Sequence, residues 1–232
     1  AFVKTNTGFN TSVSTPDGDS PILTTNLWYH VAAIYEGLNG TLKLFLNGDL
    51  IWEYTILSGD FINSSAGWNS SFDFEIGRNT HTNNNYFEGC IYECRVFNKA
   101  LTEKQIHRQI NQEIYNNAGK IRGNIIPRDI EGLLWSDLDL YYKMGIIDTG
   151  FTPDESNRNV NGHLNNMRTF QEYTAPLPYV TTTSASGDWT DSRNWLHGNI
   201  WDISTITPES AIVQIKGEIE LSNDTKTVGL IL

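Results

Sequence analysis

Two Asn-Gly pairs lying close together, Asn39-Gly40 and Asn47-Gly48, constrain this chain more than any other feature. Asn-Gly accepts the left-handed backbone that a tight hairpin turn demands, so each pair reverses the chain between two strands. The runs around them fit. Leu27-Trp28-Tyr29-His30-Val31-Ala32-Ala33-Ile34-Tyr35 is an apolar strand, buried on both faces or nearly so. Thr41 to Leu46 returns, and Leu50 to Ile56 makes a third strand. The spacing predicts a three-stranded antiparallel meander.

A second organising stretch is Tyr86 to Thr102. It reads as a loop, a strand and a helix start. At period two, Cys90, Tyr92, Cys94 and Val96 share one face and Ile91, Glu93, Arg95 and Phe97 the other. Thr102 with Gln105 forms a capping box, and Leu101 with Ile106 a hydrophobic staple. The helix is expected from Glu103 to about Asn116, with Ile106, Ile110 and Ile114 on one stripe and Gly119 as its stop.

Elsewhere the pattern is one of short strands and loops. Residues 1–20 suggest a short strand and a polar loop, Thr15 to Pro21, and residues 58–71 a second loop. Phe72 to Gly77 alternates as a strand, and Asn79 to Asn85 is a polar loop. Asn124 to Pro127 and Leu138 to Met144 are expected as short strands, and Asp148 to Asn166 as loop. The two prolines in Thr174 to Tyr179 enforce an extended segment. Trp189, Trp195 and Trp201 recur every six residues among turn formers. Ala211 to Ile215 and Glu218 to Leu221 read as a hairpin around Lys216-Gly217.

Composition narrows the function classes. The chain has 232 residues with 12% aromatics and a net charge of −11. No basic stripe exists, so nucleic acid is excluded as an expected partner. Neither a signal peptide nor a run of 18 apolar residues occurs. Both ends read as cut through strands, so the chain is expected to be an excerpt from a longer protein. On one strand Cys90 and Cys94 would lie about 13 Å apart, at ~3.3 Å per residue, beyond the reach of about 7 Å that a disulfide allows. They are expected to be free thiols, with no zinc-like partners nearby.

The ordered blocks Leu27-Trp28-Tyr29-His30-Val31-Ala32, Leu42 to Gly48, Glu75-Ile76-Gly77-Arg78 and Phe87-Glu88-Gly89 through Leu101 resemble the laminin G-like family over residues 23–115. The resemblance implies a concanavalin A-like jelly roll, an all-β sandwich with one short C-terminal helix and its first strands preceding Ala1. The family's end block has an acidic residue where Tyr92 stands, while Glu93 and Arg95 match. The later segments Tyr141 to Met144, Gly162 to Met167, Thr174 to Tyr179 and the Trp189/Trp195/Trp201 block are similar to parts of very large adhesin-like surface proteins of gliding and marine bacteria of the Bacteroidetes type. That likeness implies an extracellular, surface-attached setting. The expected organisation is a partial jelly roll over 1–118, a connecting segment over 119–185 and the start of a small Trp-containing β domain over 186–232.

Candidate sites were weighed against plain structural roles. A glycosidase needs two carboxylates across the scissile bond; Asp73-Phe74-Glu75 is the nearest pattern, and a solvated strand face explains it better. No G-x-S-x-G occurs, and neither His30 nor His81 has catalytic partners. An enzyme is therefore not expected. Calcium takes six to eight oxygen ligands, and jelly rolls of the family often hold one at a loop edge. Its candidates are Asp17, Asp19, Asp60, Asn79, Asn83 and Asn85, with Asp148, Asp154 and Asn157 as a weaker cluster; turn formation by Asx residues is the plainer role. Sugar rings stack on exposed aromatics, which selects Trp52, Trp68 and Tyr86, against core packing as the alternative. The combined expectation is a non-catalytic module of a secreted surface adhesin that binds glycans or surfaces. The alternatives are a structural spacer and an accessory part of a glycan-degrading enzyme.

Overall fold

The structure, a computed structural model, describes residues 2–5, 23–38, 40–55, 74–79, 85–145, 150–165, 174–196, 198, 212–221, 227 and 229–232. The loops expected at Thr15 to Pro21 and 58–71, Trp201, and part of the strand expected at Phe72 lie outside the described residues.

The meander forms as the Asn-Gly turns predict. Strands β1 (Phe2–Thr5), β2 (Trp28–Glu36), β3 (Thr41–Leu46) and β4 (Asp49–Thr55) line up as β4-β3-β2-β1. Between β3 and β4 the turn is only Asn47-Gly48, with both residues at positive φ (51° and 96°). The Asn47 side chain also accepts the His30 amide at 2.9 Å, so the turn is pinned to β2.

Past the meander, β5 (Arg78–Asn79) and β6 (Asn85–Tyr86) pair as a small ribbon. Phe74 to Gly77 is not the strand that its alternation suggests: Gly77 turns at φ 81°, and Glu75 grips Arg78 with two 2.6 Å hydrogen bonds.

The long strand expected through residue 97 is two strands. Glu93 adopts φ 56° and divides β7 (Gly89–Tyr92) from β8 (Cys94–Phe97). β7 closes the first sheet beside β1, whereas β8 pairs with β12 (Leu138–Tyr142). A left-handed residue inserts a bulge-like break that resets the alternation. Tyr92, Glu93 and Cys94 are consequently all buried, although period two would put Glu93 on the opposite face. Cys90 and Cys94 form no disulfide with each other, as expected, although the strand is divided between them.

Helix α1 (Glu103–Gln109) starts at the expected capping box and lays Ile106 against Ile34 and Phe45 of the sheet. It is shorter than its stripe suggests. Ile110 is extended and Asn111 is left-handed, at φ 61°. Ile114 opens β9 (Ile114–Asn117), which pairs with β10 (Lys120–Gly123) across Ala118-Gly119. Gly119, at φ 86°, serves that hairpin and not a helix end. β10 pairs in turn with β11 (Asp129–Leu134). Asn124 to Pro127, expected as a strand, is the loop between them: Gln112 Oε1 accepts the amides of Ile125 and Ile126 at 3.2 and 3.0 Å. Ile114, Ile121, Ile130, Leu133, Trp135, Leu138 and Tyr141 form one core here. A further ribbon, β13 (Phe151–Thr152) with β14 (Gly162–His163), interrupts the loop expected from Asp148 to Asn166.

The C-terminal strands differ in kind. β15 (Tyr179–Val180), β16 (Ile212–Gln214) and β17 (Gly229–Ile231) run parallel. A second parallel bridge joins Asp188 to Glu220. The hairpin expected around Lys216-Gly217 is therefore absent. Residues 212–220 instead stack on 179–188, and Glu218 donates its amide to Ala185 O at 2.8 Å. A Cβ on Gly217 would lie 2.7 Å from Ala185 O, a spacing that only glycine fits. Trp189 and Trp195 meet edge to face at 4.6 Å, and Trp195 Nε1 donates to Trp189 O at 2.7 Å. These tryptophans share one buried cluster with Trp28, Tyr92 and Ile110.

Candidate functional site

Alternation along β2–β4 sorts the sheet into two faces. One carries Ile34 and Phe45 and is covered by α1 through Ile106. On the other, the register places Tyr35 beside Leu42 beside Tyr54, and Ala33 beside Leu44 beside Trp52. Every one of these six side chains is half-buried or exposed. At the Tyr29 end the same face is covered by Leu23, with Leu27 and Val31 packed alongside. Toward the β4 edge the face opens, and Tyr54 is 55% exposed.

Trp52 and Tyr54 stand two residues apart on the same strand, so both project from this face. Their rings lie 5.7 Å apart and within 5° of parallel. Each ring contributes apolar surface, an electron-rich face and a polar tip. This arrangement suits a sugar ring: C–H groups meet the ring faces while the indole N–H and phenol reach hydroxyls. Tyr54 was absent from the sequence candidates, although its place two residues after Trp52 was the available signal.

Other candidates do not gather at this face. Tyr86 is 52% exposed on β6, where its partner across the ribbon is Arg78 of the Arg78–Glu75 pair. That pair holds Arg78 above the ordinary arginine value. Tyr86 leads into β7, the edge strand opposite β4. Four strand spacings separate those edges, roughly 19 Å. Trp68 lies outside the described residues, as do Asp17, Asp19, Asp60 and Asn83. Asn79 and Asn85 face each other across the β5–β6 ribbon, where only their backbone is described. Among the described residues no three His, Cys, Asp or Glu side chains are grouped to hold a metal. Asp154 anchors a turn. Its carboxylate accepts from the amides of Tyr141, Ser156 and Val160 and from Ser156 Oγ. Burial opposes its charge, and those amides outweigh burial to hold it below the usual carboxylate value. Asn157 is exposed and Asp148 lies outside the described residues.

Glu93 and Arg95 form a buried ion pair, 1% and 8% exposed. Tyr141 donates to Glu93 Oε2 at 2.7 Å, and its ring lies 5.3 Å from the Arg95 guanidinium. Arg95 also donates to the carbonyls of Gln109 and Gln112 at 3.1 and 2.7 Å. It thereby takes up carbonyls at and beyond the helix end, where intrahelical donors run out. Burial works against the charge on Arg95, and the Glu93 carboxylate overrides it, so the guanidinium stays above its ordinary value. Burial raises the Tyr141 phenol and the Cys94 thiol. Tyr92, standing in the family's acidic position, donates to Glu113, which also pairs with Lys143 at 3.2 Å. This network braces β8, β12 and the end of α1 together.

No curated protein matches the chain. Among solved structures, a "putative carbohydrate binding protein" from Bacteroides ovatus ATCC 8483 aligns at 19% identity with a TM-score of 0.45, over 76% of this chain and 53% of its own. Residues 2–107 match the family model of the concanavalin A-like lectin/glucanases superfamily, of laminin G type, and the mostly β architecture with its one described helix is that of the expected concanavalin A-like jelly roll.

Proposed function

We propose that this chain is a non-catalytic module of a large secreted surface adhesin, binding glycans through the open face of β2–β4. The observation that carries this reading is the parallel Trp52–Tyr54 pair on an uncovered sheet edge. A contiguous apolar patch left partly in water marks a recognition site, and here Ala33, Tyr35, Leu42 and Leu44 surround the aromatic pair. The match of residues 2–107 to a superfamily that includes lectins supports sugar as that partner. The commitment of Glu93 to Arg95 and Tyr141, and of Asp154 to four donors, supports the absence of catalysis here. Calcium, if it takes part, would sit in the Asx loops of Asp17, Asp19, Asp60, Asn79, Asn83 and Asn85. A glycan-array screen with and without calcium tests the reading. Binding to at least one glycan is expected, and silence in both conditions would leave the spacer reading in its place.

A further inference from the structure

We infer that a second site, a shallow cleft at the end of α1, holds the carboxylate or sulfate of an acidic polymer. The cleft is lined by Arg108, Gln112, Ile126, Arg128, Asp129 and Ile130. It lies away from the aromatic face, and none of its residues was selected from the sequence.

Charge is the first argument. The chain carries −11 overall, yet Arg108, Lys120, Arg122 and Arg128 converge here with Asp129 as the one acid lining the cleft. That acid is already engaged. Asp129 Oδ1 accepts from Asn117 at 2.9 Å and from Arg122 at 3.3 Å, and Lys120 lies 3.7 Å from Oδ2. Arg122 also donates from Nη2 to Pro127 O. Arg108 and Arg128 have no carboxylate within ion-pair distance among the described residues. Both arginines thus line one cleft without an ion-pair partner among the described residues.

Preorganisation is the second. Gln112 Nε2 donates to Arg108 O at 2.6 Å while its Oε1 holds the amides of Ile125 and Ile126. The Arg128 backbone is fixed on both sides, donating to Ile126 O at 2.6 Å and accepting from Gly123 N at 3.3 Å. One glutamine side chain therefore ties the helix end to the loop that carries the second arginine. Guanidinium forks match carboxylate and sulfate oxygens two at a time, which lysine does not. That the anion is carried on a sugar rests on the glycan-binding reading above.

The test measures binding of dextran sulfate, polygalacturonate and unmodified dextran to the wild-type chain, to Arg108→Ala/Arg128→Ala, to Arg108→Lys/Arg128→Lys and to Tyr54→Ala, each with melting checked. Dextran sulfate or polygalacturonate should bind the wild type and unmodified dextran less tightly. The alanine double variant should lose about tenfold in affinity, the scale of one charge-assisted contact, and the lysine variant should lose part of that. Tyr54→Ala should retain the preference for the acidic polymers over unmodified dextran. Equal binding of both acidic polymers by wild type and the alanine variant would overturn the cleft, as would no acidic binding at all. Tyr54-dependent binding of an array glycan, with no arginine-dependent binding of either acidic polymer, would sink the cleft and keep the aromatic face. Arginine-dependent binding of an acidic polymer, with no Tyr54-dependent glycan, would do the reverse.

Discussion

The β2–β4 meander and the β15–β17 rungs are both three-stranded, and they are built on opposite principles. In the meander, neighbours in sequence pair antiparallel across short turns, and Asn47-Gly48 alone determines the β3–β4 reversal. In the rungs, Tyr179 pairs with Val213 and Val213 with Leu230, all parallel and all distant in sequence. Parallel pairing needs a crossover and cannot be encoded in a turn. What holds the rungs is tertiary: the Trp189–Trp195 contact and a core shared with Trp28 and Tyr92 of the first sheet. The comparison teaches that the first region specifies itself locally, and the second takes its form from what it packs on.

Trp195→Ala probes that dependence most strongly. Truncating a 5% exposed tryptophan should destabilise the chain by about 3–5 kcal/mol. Because its cluster includes Trp28, far-UV dichroism and tryptophan fluorescence should lose signal in one joint transition. An early fluorescence transition with the sheet melting unchanged would show that the two regions are independent.

Arg95→Met probes the brace that joins β8, β12 and the end of α1. It strands Glu93 as an unpaired buried charge and frees the Gln109 and Gln112 carbonyls. Breaking a buried pair in this way costs about 3–5 kcal/mol. The lower end is expected, because Tyr141 still donates to Glu93. Chemical denaturation measures it, and a loss under about 1 kcal/mol would contradict a bracing role.

The smallest of the stability effects is a pH dependence that belongs to the meander. Burial, followed by the positive charges of Arg95 and His107, holds His30 well below 6.5. As pH falls, the unfolded chain takes up this proton before the folded one. Stability from His30 is therefore complete above 6.5 and declines as pH drops below it toward the folded value, by at most about 1.4 kcal/mol per pH unit. Melting of wild type and His30→Gln between pH 7.5 and 5 reads it out: the wild type should show the steeper decline, and equal slopes would remove His30 as the cause.

The same contrast explains what could be read from the residues. Turn chemistry is local, so the Asn-Gly hairpins, the Thr102 capping box and the pairing-incompetent cysteines were all legible. The end of α1 was not, because the groups that receive Gln109, Gln112 and Ile114 sit on Arg95 and Tyr141, far away in sequence. Glu93 gave a partial signal, an acid inside an apolar strand, without revealing its left-handed backbone. Lys216-Gly217 resembled a hairpin turn because glycine signals both tight turns and close approach, and here it is close approach to Ala185. At the candidate site Trp52 was legible as an aromatic on a strand. Its coupling to Tyr54 and the openness of that face depend on how α1 covers the other side.

The most direct test of the account is a binding titration, by calorimetry, of an array-selected glycan against wild type, Trp52→Ala and Tyr54→Ala. Loss of a stacking aromatic should weaken binding by about tenfold or more, on the order of 1.4 kcal/mol, with melting little changed because the pair lies at an open edge. Unaltered affinity in both variants would contradict the assignment of recognition to the β2–β4 face.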